Sequence, residues 1–346
     1  MNIIIGLDVS LASTAICAVD DCGKVIREMT AASEPEALRD ALEQTEGEVI
    51  CVGLEAGPLS QWLYKSLTDA GFDVILMETR QVKSVLTAMP IKSDRRDAEG
   101  IARLLHCGWY RPVHCKSVSS QEIRTLLTTR KSLQKSKIDL ELSLRGMLRN
   151  FGLKVGKVSR AQYDTRLREL AAGNVIFEAA TEAILRARDA LKQELDALEK
   201  RLIAVCKSDP VYELMMTMPG VGPIVALTFR CGIDDPERFK SSKDVGAYLG
   251  LVPKRNQSGE RDIVGHITKT GDSSLRAAAY QAATVMLNAA KPNWLTAWAL
   301  RLAARRGKKR ATVALARRIC VVLHRMWKDG TSFQFTQEAA MKARAA

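Results

Sequence analysis

The chain has 346 residues, more than one small core requires, which indicates two or three domains. Its apolar content is that of a globular protein, and no apolar run reaches the ~18 residues of a membrane span. The first residues, MNIIIGLDVS, lack the pattern of a secretion signal, so we expect a cytoplasmic protein with no membrane partner.

The net charge of +13 is concentrated in one part of the chain. Residues 251–346 contain 18 lysines and arginines against 5 acidic residues, whereas residues 1–250 contain 34 of each sign. Such asymmetry is typical of a protein that binds a polyanion through one end. Between Arg301 and Arg325 the basic residues alternate with apolar residues at helical spacing, which favours folded helices over a loose basic tail.

Residues 1–115 alternate between strand and helix patterns. Asn2–Val9 and Thr14–Val19 are short apolar runs that could pair as a hairpin, and Val49–Leu54 is a further strand. A helical stretch to Ala70 and a strand at Phe72–Met77 follow. This order predicts an α/β domain built around a central sheet.

Residues 116–209 have a heptad pattern instead. One row comprises Leu126, Leu133, Leu140 and Met147, and a second comprises Phe177, Ile184, Leu191, Leu198 and Val205, with Leu195 and Leu202 at the other heptad position. The rows predict two long amphipathic helices that form an antiparallel coiled coil or a dimerisation arm. An ordinary helical subdomain is the alternative.

Residues 210–332 are predicted to be a mainly α domain, followed by a tail at 333–346. The segment MPGVGP resembles a helix-hairpin-helix turn, in which Gly220 and Gly222 would let backbone N–H groups approach a DNA phosphate. Any tight turn between helices could also contain these residues.

Four acidic residues occupy positions that suit a metal site. Asp8 and Glu55 end two predicted strands, and Asp94 and Asp97 lie on one face of a helix whose N-cap would be Ser93. If the four converge, Mg²⁺ would neutralise their repulsion and could bind phosphate oxygens. The alternative is that Asp94 interacts with the helix dipole and Asp97 pairs with an arginine.

A serine in a glycine-rich stretch is the second candidate group. Ser258 lies between Gln257 and Gly259, where a substrate could approach closely, and it could attack a phosphodiester. Basic residues that could bind the phosphate surround it in sequence: Lys254, Arg255, His266, Lys269 and Arg276. The alternative is a solvated turn whose serine caps the next element.

Together these motifs resemble the DEDD transposases of bacterial insertion sequences, which are bridge-RNA-guided recombinases. The similarity is collinear over nearly the whole chain and includes GLDVS, GLEA, KSDRRDA, MPGVG, AYLGLVPKRNQSG, GHITKTGDSSLR and RRGKKRATVALARR. It implies an RNase H-like (RuvC-like) N-terminal domain, a coiled-coil linker and a C-terminal transposase domain.

The resemblance also implies roles for individual residues. Asp8, Glu55, Asp94 and Asp97 would bind Mg²⁺, and Ser258 would form a phosphoserine link to DNA. The acid cluster of one protomer would meet the serine of another, in a homodimer or homotetramer. A structured non-coding RNA would pair with donor and target DNA, and the protein would act at the bacterial nucleoid.

Two other interpretations stay open. The chain could be a structure-selective nuclease that hydrolyses DNA with metal ions, or a basic coiled-coil protein that only binds nucleic acid. In the recombinase interpretation the C-terminal helices would follow the nucleic-acid backbone through a basic run: Arg305, Arg306, Lys308, Lys309 and Arg310.

Overall fold

The computed structural model describes residues 1–88, 92–288 and 292–336. It divides the chain into two compact units, residues 1–116 and 117–346. Ten residues of the predicted tail, 337–346, lie outside the described residues. None of the helices within the described ranges is both long and apolar enough to cross a membrane.

The first unit contains a five-stranded mixed sheet. Its strands are β1 (Asn2–Val9), β2 (Ser13–Val19), β3 (Val25–Ala32), β4 (Glu48–Glu55) and β5 (Val74–Met77). They lie in the order β3-β2-β1-β4-β5, and β2 alone runs antiparallel to its neighbours. This is the RNase H-like topology, so the predicted fold class is confirmed.

Helices cover both faces of this sheet: α1 (Pro35–Glu43), α2 (Ser60–Asp69), α3 (Thr79–Leu86) and α4 (Asp94–His106). Side chains of a strand alternate between the two faces. Ile3, Ile5 and Leu7 of β1 therefore pack with α1 and α2, whereas Ile4 packs with α4. The even-numbered residues of β1 thus face α4. Asp8 is one of them, so its side chain is on the face of the sheet that α4 covers.

The first strands match the sequence prediction, but three elements of this unit, β3, α1 and α3, were not predicted. The β1–β2 hairpin forms with Leu7 opposite Ile16, as expected. In contrast, β3 and α1 gave no clear signal. The sequence of β3, VIREMTAA, mixes charged and apolar residues, and none of its side chains is fully buried, because the strand lies at the sheet edge.

The second unit contains the two long helices that the heptads predicted. They are α5 (Val118–Asn150) and α7 (Val175–Lys207), joined through α6 (Tyr163–Ala171). They run antiparallel, since Arg130 near the start of α5 pairs with Glu199 near the end of α7 at 2.6 Å. The fully buried row of α7 is Thr181, Arg188, Leu195 and Leu202, while the row that begins at Phe177 is half-buried.

The rest of the second unit surrounds a large apolar core. Its elements are α8 (Pro210–Met216), α9 (Pro223–Ile233), α10 (Asp244–Tyr248), β6 (Pro253–Ser258), β7 (Arg261–Ile267), α11 (Ser273–Asn288), α12 (Trp294–Arg306) and α13 (Lys308–Asp329). Helices α9, α11 and α13 supply many of the buried side chains. The stretch predicted to be a glycine-rich loop contains the β6–β7 hairpin, and its nearly complete exposure explains why hydrophobic periodicity gave no signal.

Candidate active site

Two of the predicted acids lie at adjacent strand ends of the first unit. Strands β1 and β4 are parallel, and Leu7 is opposite Leu54, so Asp8 and Glu55 follow at the same level of the sheet. Both carboxylates are half-buried on the face that α4 covers. The carboxyl ends of parallel strands are where α/β folds gather reacting groups.

Helix α4 contributes the other two acids from its first turn. The Ser93 side chain accepts a hydrogen bond from the backbone N–H of Arg96, so Ser93 is the predicted N-cap. Asp94 and Asp97 follow one helical turn apart, the first exposed and the second half-buried. Their position at a helix N-terminus favours negative charge.

Two glycines allow α4 to lie close to the sheet. A Cβ atom at Gly6 would come within 2.3 Å of the Ala98 carbonyl oxygen, and one at Gly53 would come within 2.3 Å of a Leu105 methyl carbon. Since Gly6 and Gly53 are opposite each other in β1 and β4, they form a flat surface for the helix. The sequence analysis did not identify these glycines, although small residues two positions before both strand-end acids were a possible signal.

The four acids interact electrostatically. Burial raises the pKa of Asp8 to about 6, and the charges of Asp97, Asp94 and Glu55 contribute to the rise, while Lys92 opposes it. Burial also raises the pKa of Glu55, with a contribution from Asp97, whereas the Thr79 hydroxyl and Lys83 oppose it. The carboxylates of the two strand ends and of α4 are therefore close enough to influence one another electrostatically.

No basic side chain within the described ranges forms an ion pair with any of these four acids. A nearby acid on α4 shows the contrast, because Glu99 pairs with both Arg96 and Arg103 at 2.7 Å. Asp97 therefore lacks the arginine partner that the structural alternative required. A half-buried carboxylate without a partner is costly, and a bound cation would relieve that cost.

The donor set fits Mg²⁺, which prefers carboxylate oxygens. In the part of the chain that the structure describes, however, no three His, Cys, Asp or Glu side chains are arranged to hold one ion together. Mutual repulsion keeps uncompensated carboxylates apart. Shared ligation would therefore require changes of side-chain rotamer, which Asp94 can make freely because it is exposed.

The predicted nucleophile, Ser258, lies in the second unit at the tip of an exposed hairpin. It is the last residue of β6 and pairs with Arg261, so Gly259 and Glu260 form a two-residue turn. Gly259 has φ +55° and Glu260 does not have a positive φ, which is the pattern of a type II′ turn. Ser258 is exposed and accessible to a large substrate.

Arg261 lies beside Ser258, and the sequence analysis did not identify it as a candidate site residue. As the cross-strand partner of Ser258 it is on the same face of the hairpin, where paired Cβ atoms lie about 5 Å apart. Arg255 is less available, because it forms a two-pronged ion pair with Asp262 at 2.7 and 2.8 Å. The signal that could have found Arg261 is the two-residue Gly-containing turn after Ser258.

His266 and Lys269 lie at the other end of the hairpin from Ser258. His266 is five residues beyond Arg261 in β7, which at the rise of a strand corresponds to roughly 16 Å. His266 is therefore not positioned beside Ser258 of the same chain in this conformation. Both His266 and Lys269 instead line a cavity, and Lys254 is exposed on β6.

Arg276 and Gly220, both predicted to contact nucleic acid, make close contacts within the second unit. Arg276 Nη1 donates hydrogen bonds to the carbonyl oxygens of Leu249, Thr270 and Gly271, which fixes the chain after β7. A Cβ at Gly220 would come within 2.5 Å of the Ala282 carbonyl oxygen, so this glycine permits close packing against α11.

The remaining predicted nucleic-acid residues lie at turns between helices. Gly222 is the N-cap of α9, and a Cβ there would have no atom of the described residues within 4 Å. The basic run at the α12–α13 corner is exposed around Gly307: Arg305, Arg306, Lys308, Lys309 and Arg310. The N-terminus of a helix adds partial positive charge there.

Comparisons with known proteins relate both units to transposases. A family model described as transposase IS116/IS110/IS902 family matches residues 212–299, and a second, the DEDD transposase model of IS110 elements, matches residues 5–152. The transposase for insertion sequence element IS1111A of Coxiella burnetii is 30% identical over 90% of this chain and 86% of its own length. A probable family 20 transposase of Pseudomonas aeruginosa is 27% identical over 82% of this chain and 85% of its own.

The RuvC structure of Thermus thermophilus is among the solved structures that match part of the chain, with 14% identity and a TM-score of 0.26, over 32% of this chain and 99% of that one. A similarity of this size adds nothing to the fold assignment, which stands on strand order and direction.

Proposed function

Because this chain belongs to the IS116/IS110/IS902 transposase family, we propose that it is a recombinase that cleaves and rejoins DNA through a phosphoserine at Ser258. The observation that carries the proposal is the position of Ser258 at an exposed hairpin tip, directly across from Arg261. A structural serine would be expected to cap a helix or to make a hydrogen bond, and Ser258 belongs to no cap in the described ranges.

In the proposed reaction, Ser258 Oγ attacks a scissile phosphorus atom. The Oγ–P bond forms, the bond from phosphorus to the leaving DNA oxygen breaks, the serine loses its proton and the leaving oxygen gains one. Arg261 would bind a phosphate oxygen and stabilise the developing charge. Reversal with a different DNA end would join the exchanged strand, and because the phosphoester bond is conserved, no nucleotide triphosphate is required.

The four acids of the first unit would bind Mg²⁺, which supplies charge neutralisation at the phosphate. Asp8 and Glu55 are held by the sheet, and Asp94 and Asp97 are held by α4, so the chain presents both pairs from rigid elements. We further propose that the acids of one protomer act with Ser258 of another, in a homo-oligomer.

A structured RNA that pairs with donor and target DNA would select the DNA sequences. The protein would act in the cytoplasm, at the nucleoid. The basic run around Gly307 and the exposed Lys254 would contact backbone phosphates of these partners. In other RNA-guided systems, too, base pairing with the RNA recognises the DNA sequence, while the protein contacts the nucleic-acid backbone.

The test is detection of a denaturant-resistant protein–DNA adduct. Purified protein, its co-purifying RNA and Mg²⁺ are incubated with labelled element-junction DNA. The wild type should form the adduct, Ser258→Ala should not, and Ser136→Ala on the exposed surface of α5 is the matched control. An adduct that persists in Ser258→Ala refutes the nucleophile.

The same assay separates the proposal from metal-dependent hydrolysis. Cleaved DNA ends without any adduct would assign the chain to the nuclease alternative. Asp97→Asn should reduce both cleavage and adduct at limiting Mg²⁺, because it removes one ligand charge. Unchanged activity of this variant would contradict the role of the acid cluster.

A further inference from the structure

The second unit contains a cavity of about 1170 Å³ that neither the acid cluster nor Ser258 explains. It lies among the base of the β6–β7 hairpin, the first turns of α12 and one side of α13. Its lining includes His266 and Ile267 of β7 and the segment of α13 from Lys309 to Arg325. Pockets for one small ligand span about 300–1,000 Å³, so this cavity has room for a segment of a larger molecule.

Two tryptophans and an arginine are stacked in this cavity. Trp294 and Trp298 are one turn apart on α12, and both line the wall. The guanidinium carbon of Arg318 on α13 lies 4.4 Å from the ring centroid of Trp298 and 5.2 Å from that of Trp294. Both rings are half-buried, so their positions are fixed by packing while part of their surface faces the cavity.

Every charged group on the cavity wall, within the described ranges, is basic. Lys269 follows the hairpin, Arg310 and Arg317 are on α13, and no aspartate or glutamate lines the cavity. Arg317 packs directly against Gly246 of α10. A Cβ atom added at Gly246 would come within 2.9 Å of the Cγ atom of Arg317. The wall therefore combines flat aromatic surface with charged side chains of a single, positive sign.

We propose that this cavity binds two or three unpaired nucleotides of a nucleic-acid single strand. Bases would stack on Trp298, Trp294 and the Arg318 guanidinium, and the backbone phosphates would contact Lys269 and Arg310. Aromatic platforms beside basic side chains are how proteins bind single strands without sequence preference. A duplex exposes its phosphates but stacks its bases inside the helix. It could therefore contact the basic side chains of the cavity but could not stack bases on the tryptophan rings.

Other occupants suit the cavity less well. An apolar peptide would cover basic side chains such as Lys269 and Arg310 and supply no negative charge to them, which is costly. An acidic peptide would satisfy the charges but would not use two indole rings beside a planar guanidinium. Unpaired nucleotides satisfy both features, and DNA and RNA share this chemistry.

The inference rests on the proposed function only in that both assign a nucleic-acid partner. Its test therefore uses no Mg²⁺, no junction DNA and no chemistry. Fluorescently labelled oligo(dT), oligo(U) and a duplex of equal length are titrated with the full-length protein at fixed salt. The variants are Trp298→Ala, Trp298→Phe and Arg310→Gln, and Trp62→Ala, an exposed tryptophan of the first unit, is the matched control.

Trp298→Ala should weaken single-strand binding by about 10-fold, which is typical for loss of one stacked base. Trp298→Phe should retain most of the affinity, and Trp62→Ala all of it. Arg310→Gln should lower the salt dependence of single-strand binding by about 0.7 in the log–log slope. Duplex affinity should not change in the tryptophan variants. The preferred oligonucleotide, dT or U, identifies the natural source.

Photocrosslinking makes the test independent of how well Trp298→Ala folds. Oligonucleotides containing 5-bromouracil are irradiated with the wild-type protein, and tryptic peptides are identified by mass spectrometry. A crosslink in the peptide that contains Trp294 and Trp298 supports the inference. Crosslinks found solely in other peptides overturn it, as does equal loss of single-strand and duplex binding in Trp298→Ala. Binding that follows the prediction in a protein that forms no serine adduct would refute the proposed function alone.

Discussion

Replacement of Gly6 by alanine tests how the acid cluster is assembled. The new Cβ would lie 2.3 Å from the Ala98 carbonyl oxygen and 2.4 Å from the Ala102 backbone nitrogen. Ordinary contacts lie near 3.5–4.0 Å, so α4 would have to move by more than about 1 Å. Both clashing atoms are helix backbone, which cannot rotate away as a side chain can.

The cost follows from this geometry. Overpacking usually destabilises by about 1–3 kcal/mol, and we expect the upper end here because the same helix also packs on Gly53 through Leu105. For a unit of this size, about 3 kcal/mol corresponds to a fall in melting temperature on the order of 10 °C. Displacement of α4 would also move Asp94 and Asp97 away from Asp8 and so reduce stabilisation by Mg²⁺.

Differential scanning calorimetry of the full chain, with and without excess Mg²⁺, measures both effects. Gly146→Ala in α5 is the matched control, because a Cβ there meets no atom of the described residues within 4 Å. That variant should be stabilised by about 0.5–1 kcal/mol, as for any glycine inside a helix. If Gly6→Ala melts like the wild type and keeps the full Mg²⁺ response, the close packing of α4 on β1 is refuted.

Three further predictions concern the second unit. Arg261→Gln should lower the rate of adduct formation by about 10- to 1000-fold while leaving the fold intact, because it removes a charge directly across from Ser258; an unchanged single-turnover rate would contradict that role. Gly220→Ala should destabilise the protein by at least about 2 kcal/mol, through a clash with α11, whereas Gly222→Ala, which meets no clash, should cost less than about 1 kcal/mol; equal urea midpoints would be inconsistent with this packing. Burial lowers the pKa of His324, so the folded state favours the neutral ring, and stability should be lost as pH falls below about 6.5; His324→Gln should flatten this part of the pH profile of the free energy of unfolding, and an equally steep profile would refute the assignment.

Much of the first unit could be predicted from the sequence because its signals are local. Strands β1, β2 and β4 are short apolar runs, and Ser93 precedes the periodic pattern of α4. The order of these elements and the position of Asp8 at a strand end follow from neighbouring residues alone. The resemblance to DEDD transposases, which the comparisons confirm, rests likewise on short motifs in a collinear order.

Other features depended on contacts between distant parts of the chain. The heptads predicted two long helices, but only their packing shows that Arg188 occupies a buried row, where it forms ion pairs with Asp164 and Asp189. Arg276 looked like a phosphate ligand because it is basic and close to Ser258 in sequence. Only the tertiary structure shows that it also donates hydrogen bonds to three carbonyl oxygens of the chain around it.

The sequence by itself determined which residue types could carry the chemistry, since carboxylates, a serine and clustered basic residues are visible in it directly. Only the tertiary structure decided what surrounds them. The burial and repulsion that raise the pKa of Asp8, the placement of Arg261 across from Ser258 and the stack of Arg318 on two tryptophans all depend on strand register or helix packing. Local propensity does not encode these distances, because they arise when separate elements bury their apolar faces against one another.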